Sequence, residues 1–195
     1  TGTAYFDGLQ LEESDTPSPY NMLENPGFER TSSNFPTSWT GTNLTSYDKA
    51  SANEVKYDNK SFLFKAGTSG RKYLKQTVNV NGKESDTYIV SGWAYGKGLK
   101  DDGIDQKYRM EILIYYTNGD YIWKGASIFN ETVEGWKYAS AAFNLDDGED
   151  DVNRTPKSIA VYLRSYYSAN DIFYDGIQLI KRDVDVYSYD SEGNI

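Results

Sequence analysis

Cysteine and histidine are both absent from the 195 residues of this chain. Without cysteine there is no disulfide and no thiol nucleophile; without histidine there is no Ser-His-Asp relay. The usual zinc ligand sets fail with them. Basic clusters are missing too. Twenty Lys and Arg stand against 29 Asp and Glu, giving a net charge of −9 and a pI near 4.6. A phosphate backbone is held by basic stripes, so nucleic acid is excluded as an expected partner, and an anionic lipid surface is disfavoured for the same reason. No apolar run approaches membrane-spanning length, so no membrane insertion is expected. No stretch sustains helical periodicity.

Aromatic rings are what the chain has in excess: 18 Tyr, 8 Phe and 4 Trp. Flat rings suit a pleated surface, and 17 Gly with many Asn, Asp, Ser and Thr supply turns. The reading is an all-β protein. Strands are expected at Ser61–Ala66, Tyr73–Val80, Tyr88–Tyr95, Lys107–Tyr116, Tyr121–Ser127, Trp136–Phe143 and Lys157–Tyr166. The Asn118-Gly119 pair within 117–120 marks a tight hairpin in which both central residues tolerate positive φ.

Alternation sorts the strand faces. Met110, Ile112 and Ile114 share one side, opposite Arg109, Glu111, Leu113 and Tyr115. Ile159, Val161 and Leu163 likewise oppose Ala160, Tyr162 and Arg164. Each strand thus has one oily face for a core and a second that mixes rings with charges.

One internal repeat is evident. Residues 3–11, TAYFDGLQL, match residues 171–179, DIFYDGIQL, without a gap. So long a period signifies tandem domains rather than stacked short repeats. Residues 1–14 therefore read as the last strand of a preceding module and 15–19 as a linker. Residues 20–182 read as the module itself, closed by the second copy. Thr1-Gly2-Thr3 reads as the interior of a longer polypeptide.

The opening segment of that module, Met22-Leu-Glu-Asn-Pro-Gly-Phe-Glu29 with Trp39 and Gly41 beyond it, resembles the start of jelly-roll carbohydrate-binding modules. The closing strand Phe173-Tyr-Asp-Gly-Ile-Gln-Leu179 resembles their end. The resemblance implies an antiparallel two-sheet β-sandwich of galactose-binding-like architecture. It also implies a structural Ca²⁺ between a Glu of the first strand and an Asp of the last, which here are Glu29 and Asp175. The terminal Tyr187-Ser-Tyr-Asp-Ser-Glu-Gly-Asn194 is similar to a YD repeat, so residues 183–195 read as the start of a YD-repeat region of an RHS-type bacterial wall-associated protein. That implies an extracellular or cell-wall-associated location, with other modules of the same polypeptide as partners. A cysteine-free chain is compatible with a Gram-positive surface but fixes no compartment. The four Asn-x-Ser/Thr sequons at Asn43, Asn59, Asn130 and Asn153 carry little weight in a bacterial protein.

Sugar rings present C–H faces to aromatic π-systems, and their hydroxyls need polar partners. Trp93, Tyr95, Tyr115, Tyr162 and Tyr166, interleaved with Arg109, Glu111 and Arg164, are the residues expected to bind a glycan. Each could instead serve packing. The acidic run 146–151 lacks the ligand spacing of a calcium loop and reads as solvated. The expected function is a non-catalytic extracellular module that recognises carbohydrate. A ligand-free spacer or plug of an RHS shell is the alternative. A glycoside hydrolase, which needs two paired carboxylates, finds no such pair in the sequence.

Overall fold

The computed structural model describes residues 21–67, 70–96, 108–128, 135–146, 155–168 and 170–182. The first copy of the internal repeat, the linker, the YD-like terminus and all of the acidic run beyond Asp146 lie outside the described residues.

Two five-stranded antiparallel sheets face one another, beside a small hairpin, and the described residues contain no helix. The hairpin is β1 (Thr31–Ser32) with β2 (Phe35–Pro36). The remaining strands are β3 (Thr40–Thr42), β4 (Lys49–Ser51), β5 (Ser61–Phe64), β6 (Arg71–Asn79), β7 (Thr87–Gly96), β8 (Tyr108–Tyr116), β9 (Tyr121–Ile128), β10 (Trp136–Asn144), β11 (Pro156–Tyr166) and β12 (Ile172–Arg182). One sheet runs β10-β7-β12-β5-β4 and the other β3-β6-β11-β8-β9. Apart from the neighbouring pairs β4–β5 and β8–β9, each successive strand in these sheets passes to the opposite sheet. The chain therefore builds both layers at once, and nearly all its pairings are long-range.

Period-two alternation supplies the core. Leu74, Met110, Ile112, Ile114, Ile159, Val161 and Leu163 point inward from one sheet; Phe62, Phe64, Tyr88, Val90, Ala94, Tyr174 and Leu179 do so from the other. Buried phenols need acceptors and find them in main-chain carbonyls. Tyr116 donates to Leu145 O at 2.6 Å and Tyr174 to Arg164 O at 2.7 Å. Burial raises the Tyr174 phenol well above the ordinary tyrosine range, so it stays a donor.

The opening motif works as a corner. Asn25 accepts from Arg30 N–H at 3.0 Å and donates through Nδ2 to the carbonyls of Arg30 and Thr37. Both Asn25 and Phe28 take positive φ, 51° and 60°, a cost a bulky residue bears only when its surroundings repay it. Here the repayment is burial: the Phe28 ring has no exposure and lies 5.3 Å from Trp39 and 5.8 Å from Phe62. The indole N–H of Trp39 donates to Asn25 O at 3.1 Å.

The closing motif makes a bulge. The register of β12 against β7 shifts between Asp175 and Gln178, at Gly176, whose φ is +58°. Alternation after Tyr174 turns Asp175 away from the core face, and the extra residue then resets the phase so that Ile177 enters the core. A Cβ on Gly92 of β7 would come within 2.6 Å of Ile177 Cδ1, so that glycine makes room for the bulge.

The seven strands expected from alternation all occur, with ends displaced by one or two residues. The short strands β1 to β4 carry too few residues to show a period. The β8–β9 turn differs from expectation. Only Gly119 takes positive φ, at +96°, with its N–H donating to Tyr116 O. Thr117-Asn118-Gly119 is thus a three-residue loop ending in a left-handed glycine, and not a two-residue turn.

Candidate glycan-binding face

On the outer side of the β3-β6-β11-β8-β9 sheet, alternation that buries the aliphatic residues exposes a second set. The middle strand β11 contributes Tyr162, Arg164 and Tyr166. Register places Lys75, Tyr73 and Arg71 of β6 opposite these three. On the other flank Tyr162 pairs with Glu111 and Arg164 with Arg109, both of β8. Beyond β8, Tyr115 faces Tyr121 and Leu113 faces Trp123 of β9.

Arg164 is the hub. Its guanidinium lies 4.5 Å from the ring centroid of Trp123, 5.0 Å from Tyr162, 5.4 Å from Tyr166 and 5.7 Å from Tyr73. It pairs with Glu111, which also pairs with Arg109. Burial lowers the Arg164 pKa from its ordinary value; the neighbouring Arg109 charge adds to the lowering and Glu111 opposes it. Lys75 and Arg71 approach the rings of Tyr162 and Tyr166 at 5.6 and 5.1 Å. The rings are mutually braced: Trp123 is 5.0 Å from Tyr162, and Tyr73 is 5.3 Å from it. Burial, followed by the hydrogen bond to Tyr162, pushes the Tyr115 phenol up, so its hydroxyl keeps its proton at neutral pH. The exposed members are Trp123 at 47% and Tyr121 at 59%. Two open rings beside fixed guanidinium and hydroxyl groups can stack on apolar C–H surface and bond to polar edges.

Six of the eight residues expected to bind a glycan meet here: Arg109, Glu111, Tyr115, Tyr162, Arg164 and Tyr166. Within the six, Tyr162 and Tyr166 are nearly buried and act as floor. Trp93 and Tyr95 do not join them, because β7 belongs to the other sheet. Trp93 is covered by its own chain: Lys56 Nζ sits 3.9 Å from its ring centroid, and Tyr57 packs edge-on at 6.3 Å. Tyr95 lines a separate cavity of about 390 Å³ with Phe173, Asn53, Glu54, Ala66, Asn170 and Asp171. Sequence reading overlooked Tyr73, Lys75, Tyr121 and Trp123. The same alternation that sorted β8 and β11 would have found them in β6 and β9.

Glu29 and Asp175 come together on the outer side of the other sheet, around the 54–60 segment. Asp175 is fully buried. Its Oδ2 accepts from the N–H groups of Lys56 and Tyr57, each at 2.9 Å, and its Oδ1 from Gly176 at 2.7 Å. Glu29 Oε1 accepts from Asn59 and Lys60 N–H at 2.9 and 2.6 Å. Both carboxylates thus clamp one loop. Burial pushes the Asp175 carboxyl up to about 6, opposed by its three N–H partners and reinforced by the Glu29 charge. The described residues include no cluster of three or more Asp, Glu, His or Cys, so a calcium ion here would take its remaining oxygens from main-chain carbonyls.

No family model matches this chain. No curated protein matches it either. Solved structures do. The CBM22-1 xylan-binding domain from Paenibacillus barcinonensis Xyn10C aligns over 84% of this chain and 96% of its own, with TM-score 0.57 and 11% identity. A Stig cyclase, Fisc from Fischerella sp. TAU, aligns over 86% of this chain and all of its own, with TM-score 0.57 and 15% identity. The enzymatically active domain of bacteriophage CBA120 tailspike protein 4 aligns over 84% of this chain at TM-score 0.59 and 12% identity. This chain spans only 22% of that tailspike domain. At such identities the likeness is one of fold, the β-sandwich of carbohydrate-binding modules, and the cyclase marks that the same sandwich also carries catalysis.

Proposed function

We propose that this chain is a non-catalytic carbohydrate-binding module, with the glycan lying across the outer face of the β3-β6-β11-β8-β9 sheet. The observation that carries the reading is the convergence on Arg164 of rings from three strands, with Trp123 left open beside it and Tyr121 open against Tyr115. The xylan-binding domain of like fold supports it. Catalysis is disfavoured at this face because Glu111, gripped by two arginines, has no second carboxylate beside it among the described strand residues.

The proposal extends to context. The module belongs to a secreted or wall-associated bacterial protein of RHS type, supported by the repeated TAYFDGLQL and DIFYDGIQL strands and the YD-like terminus. Among the described residues no helix is long and apolar enough to cross a membrane. Glu29 and Asp175 would hold a structural calcium ion that ties the module's two ends through the 54–60 loop.

Affinity electrophoresis against a panel of insoluble and soluble polysaccharides tests the reading. Retardation lost in Trp123→Ala supports it. Reducing-end release abolished by one acidic substitution identifies an enzyme instead, and silence on every glycan leaves the spacer.

A further inference from the structure

The charge on this face runs against the charge on the chain. Arg71, Lys75, Arg109 and Arg164 project from β6, β8 and β11, and Glu111 is the one carboxylate among the described strand residues of the face. The protein as a whole carries −9. Glu111 has two guanidinium partners and balances one of them. Arg109 Nε is buried with no hydrogen-bond acceptor among the described residues. Neither Arg71 nor Lys75 has a carboxylate partner among them, and both rest against tyrosine rings at the margin of the face.

A neutral glycan asks for none of this. Its hydroxyls are served by amides and hydroxyl groups, and desolvating surplus cations against it costs binding energy. An anionic oxygen group recovers that cost, because guanidinium forks match carboxylate and sulfate geometry and strengthen where water is thin. We propose that the face selects acidic polysaccharides, chains whose sugars carry carboxylate or sulfate groups: the rings take the sugar faces while Arg71, Lys75 and Arg109 take the anionic groups. This inference rests on the proposed glycan-binding reading and narrows its ligand. Net charge would repel such a polymer at long range, so the local excess acts within about a Debye length, ~10 Å at 0.1 M salt.

The test pairs each acidic polymer with its neutral counterpart: polygalacturonate with its fully methyl-esterified form, and a sulfated galactan with the same galactan desulfated. Isothermal titration at low and high salt is run on the wild type, on Arg71→Gln/Lys75→Gln and on Trp123→Ala. Tighter binding of one acidic form than of its neutral counterpart supports the proposal and says whether carboxylate or sulfate is read. Added salt should weaken that binding, and the double variant should lose ~2- to 5-fold per charge, as exposed ion pairs do. Equal binding of both forms without salt dependence, still lost in Trp123→Ala, overturns the acidic preference and keeps the platform. No binding to any of the four overturns the acidic preference, while the glycan-binding reading itself stands or falls on the polysaccharide panel above.

Discussion

Lys72 Nζ lies 2.6 Å from Asp48 Oδ1, and both side chains are buried, at 1% and 0% exposure. This ion pair sits where β6 meets the loop before β4. Asp48 also accepts from Thr45 N–H and Oγ1 through Oδ2 and from Lys65 N–H through Oδ1, while Lys72 donates a second bond to Lys65 O. The charges leave water only because each has nearly every bonding site filled.

Lys72→Met should therefore destabilise the fold by ~3–5 kcal/mol, since it leaves a buried carboxylate without its cation. Asp48→Ala should cost at least as much, because it also frees two main-chain N–H groups. The Lys72→Met/Asp48→Ala double variant should be less unstable than the two losses summed, because it removes both charges together. Urea unfolding monitored by tryptophan fluorescence measures all three; a double variant as unstable as the sum of the singles would show no coupling.

The Asp175 carboxyl gives a pH signature. Its folded pKa, about 6, lies above the ordinary 3.8. The folded state thus binds the proton more tightly, and the stability this group contributes is fully present below the unfolded value and lost as pH rises through the folded one. At about 1.4 kcal/mol per pKa unit the loss amounts to ~2–3 kcal/mol. In chelator, wild-type stability relative to Asp175→Asn should fall between about pH 4 and pH 7. A difference that is flat across this range would disprove the burial assigned to the group.

Calcium should act in the opposite sense. A ligand bound only by the native state stabilises it by mass action, ~2.7 kcal/mol at a hundredfold excess over Kd. The thermal midpoint should rise with calcium at neutral pH and rise less near pH 5, where the proton competes for Asp175. Glu29→Ala and Asp175→Ala should both abolish the gain. An unchanged midpoint in calcium and in chelator ends the proposal of a metal site.

Two tryptophans separate folding from binding. Trp39 is buried against Phe28 with its N–H on Asn25 O, so Trp39→Ala should cost ~3–5 kcal/mol. Trp123 is half exposed over Arg164, so Trp123→Ala should leave unfolding nearly unchanged while glycan retention is lost. Paired thermal and binding measurements would reverse the assignment of the two residues if Trp123→Ala unfolded the protein.

Local pattern carried much of this molecule into view. The aromatic excess, the turn residues and the period-two runs determined an all-β chain, the seven strands from β5 to β11 and the division of β8 and β11 into a core side and a ring-and-charge side, because alternation is a property of each strand taken alone. Which strands share a sheet is not. The order β3-β6-β11-β8-β9 arises from crossings between layers that no local pattern encodes, and it alone sets Arg164 beside Tyr73, Arg109 and Trp123. The same crossings carry Trp93 and Tyr95 to the far sheet, though their residue types suit the set. The motif at residues 25–29 and the Asp175-Gly176 pair were legible as signatures of a family. Their physical work, a strained corner held by Asn25 and a bulge seated on Gly92, depends on neighbours up to about 150 residues away, which only the folded chain brings into contact.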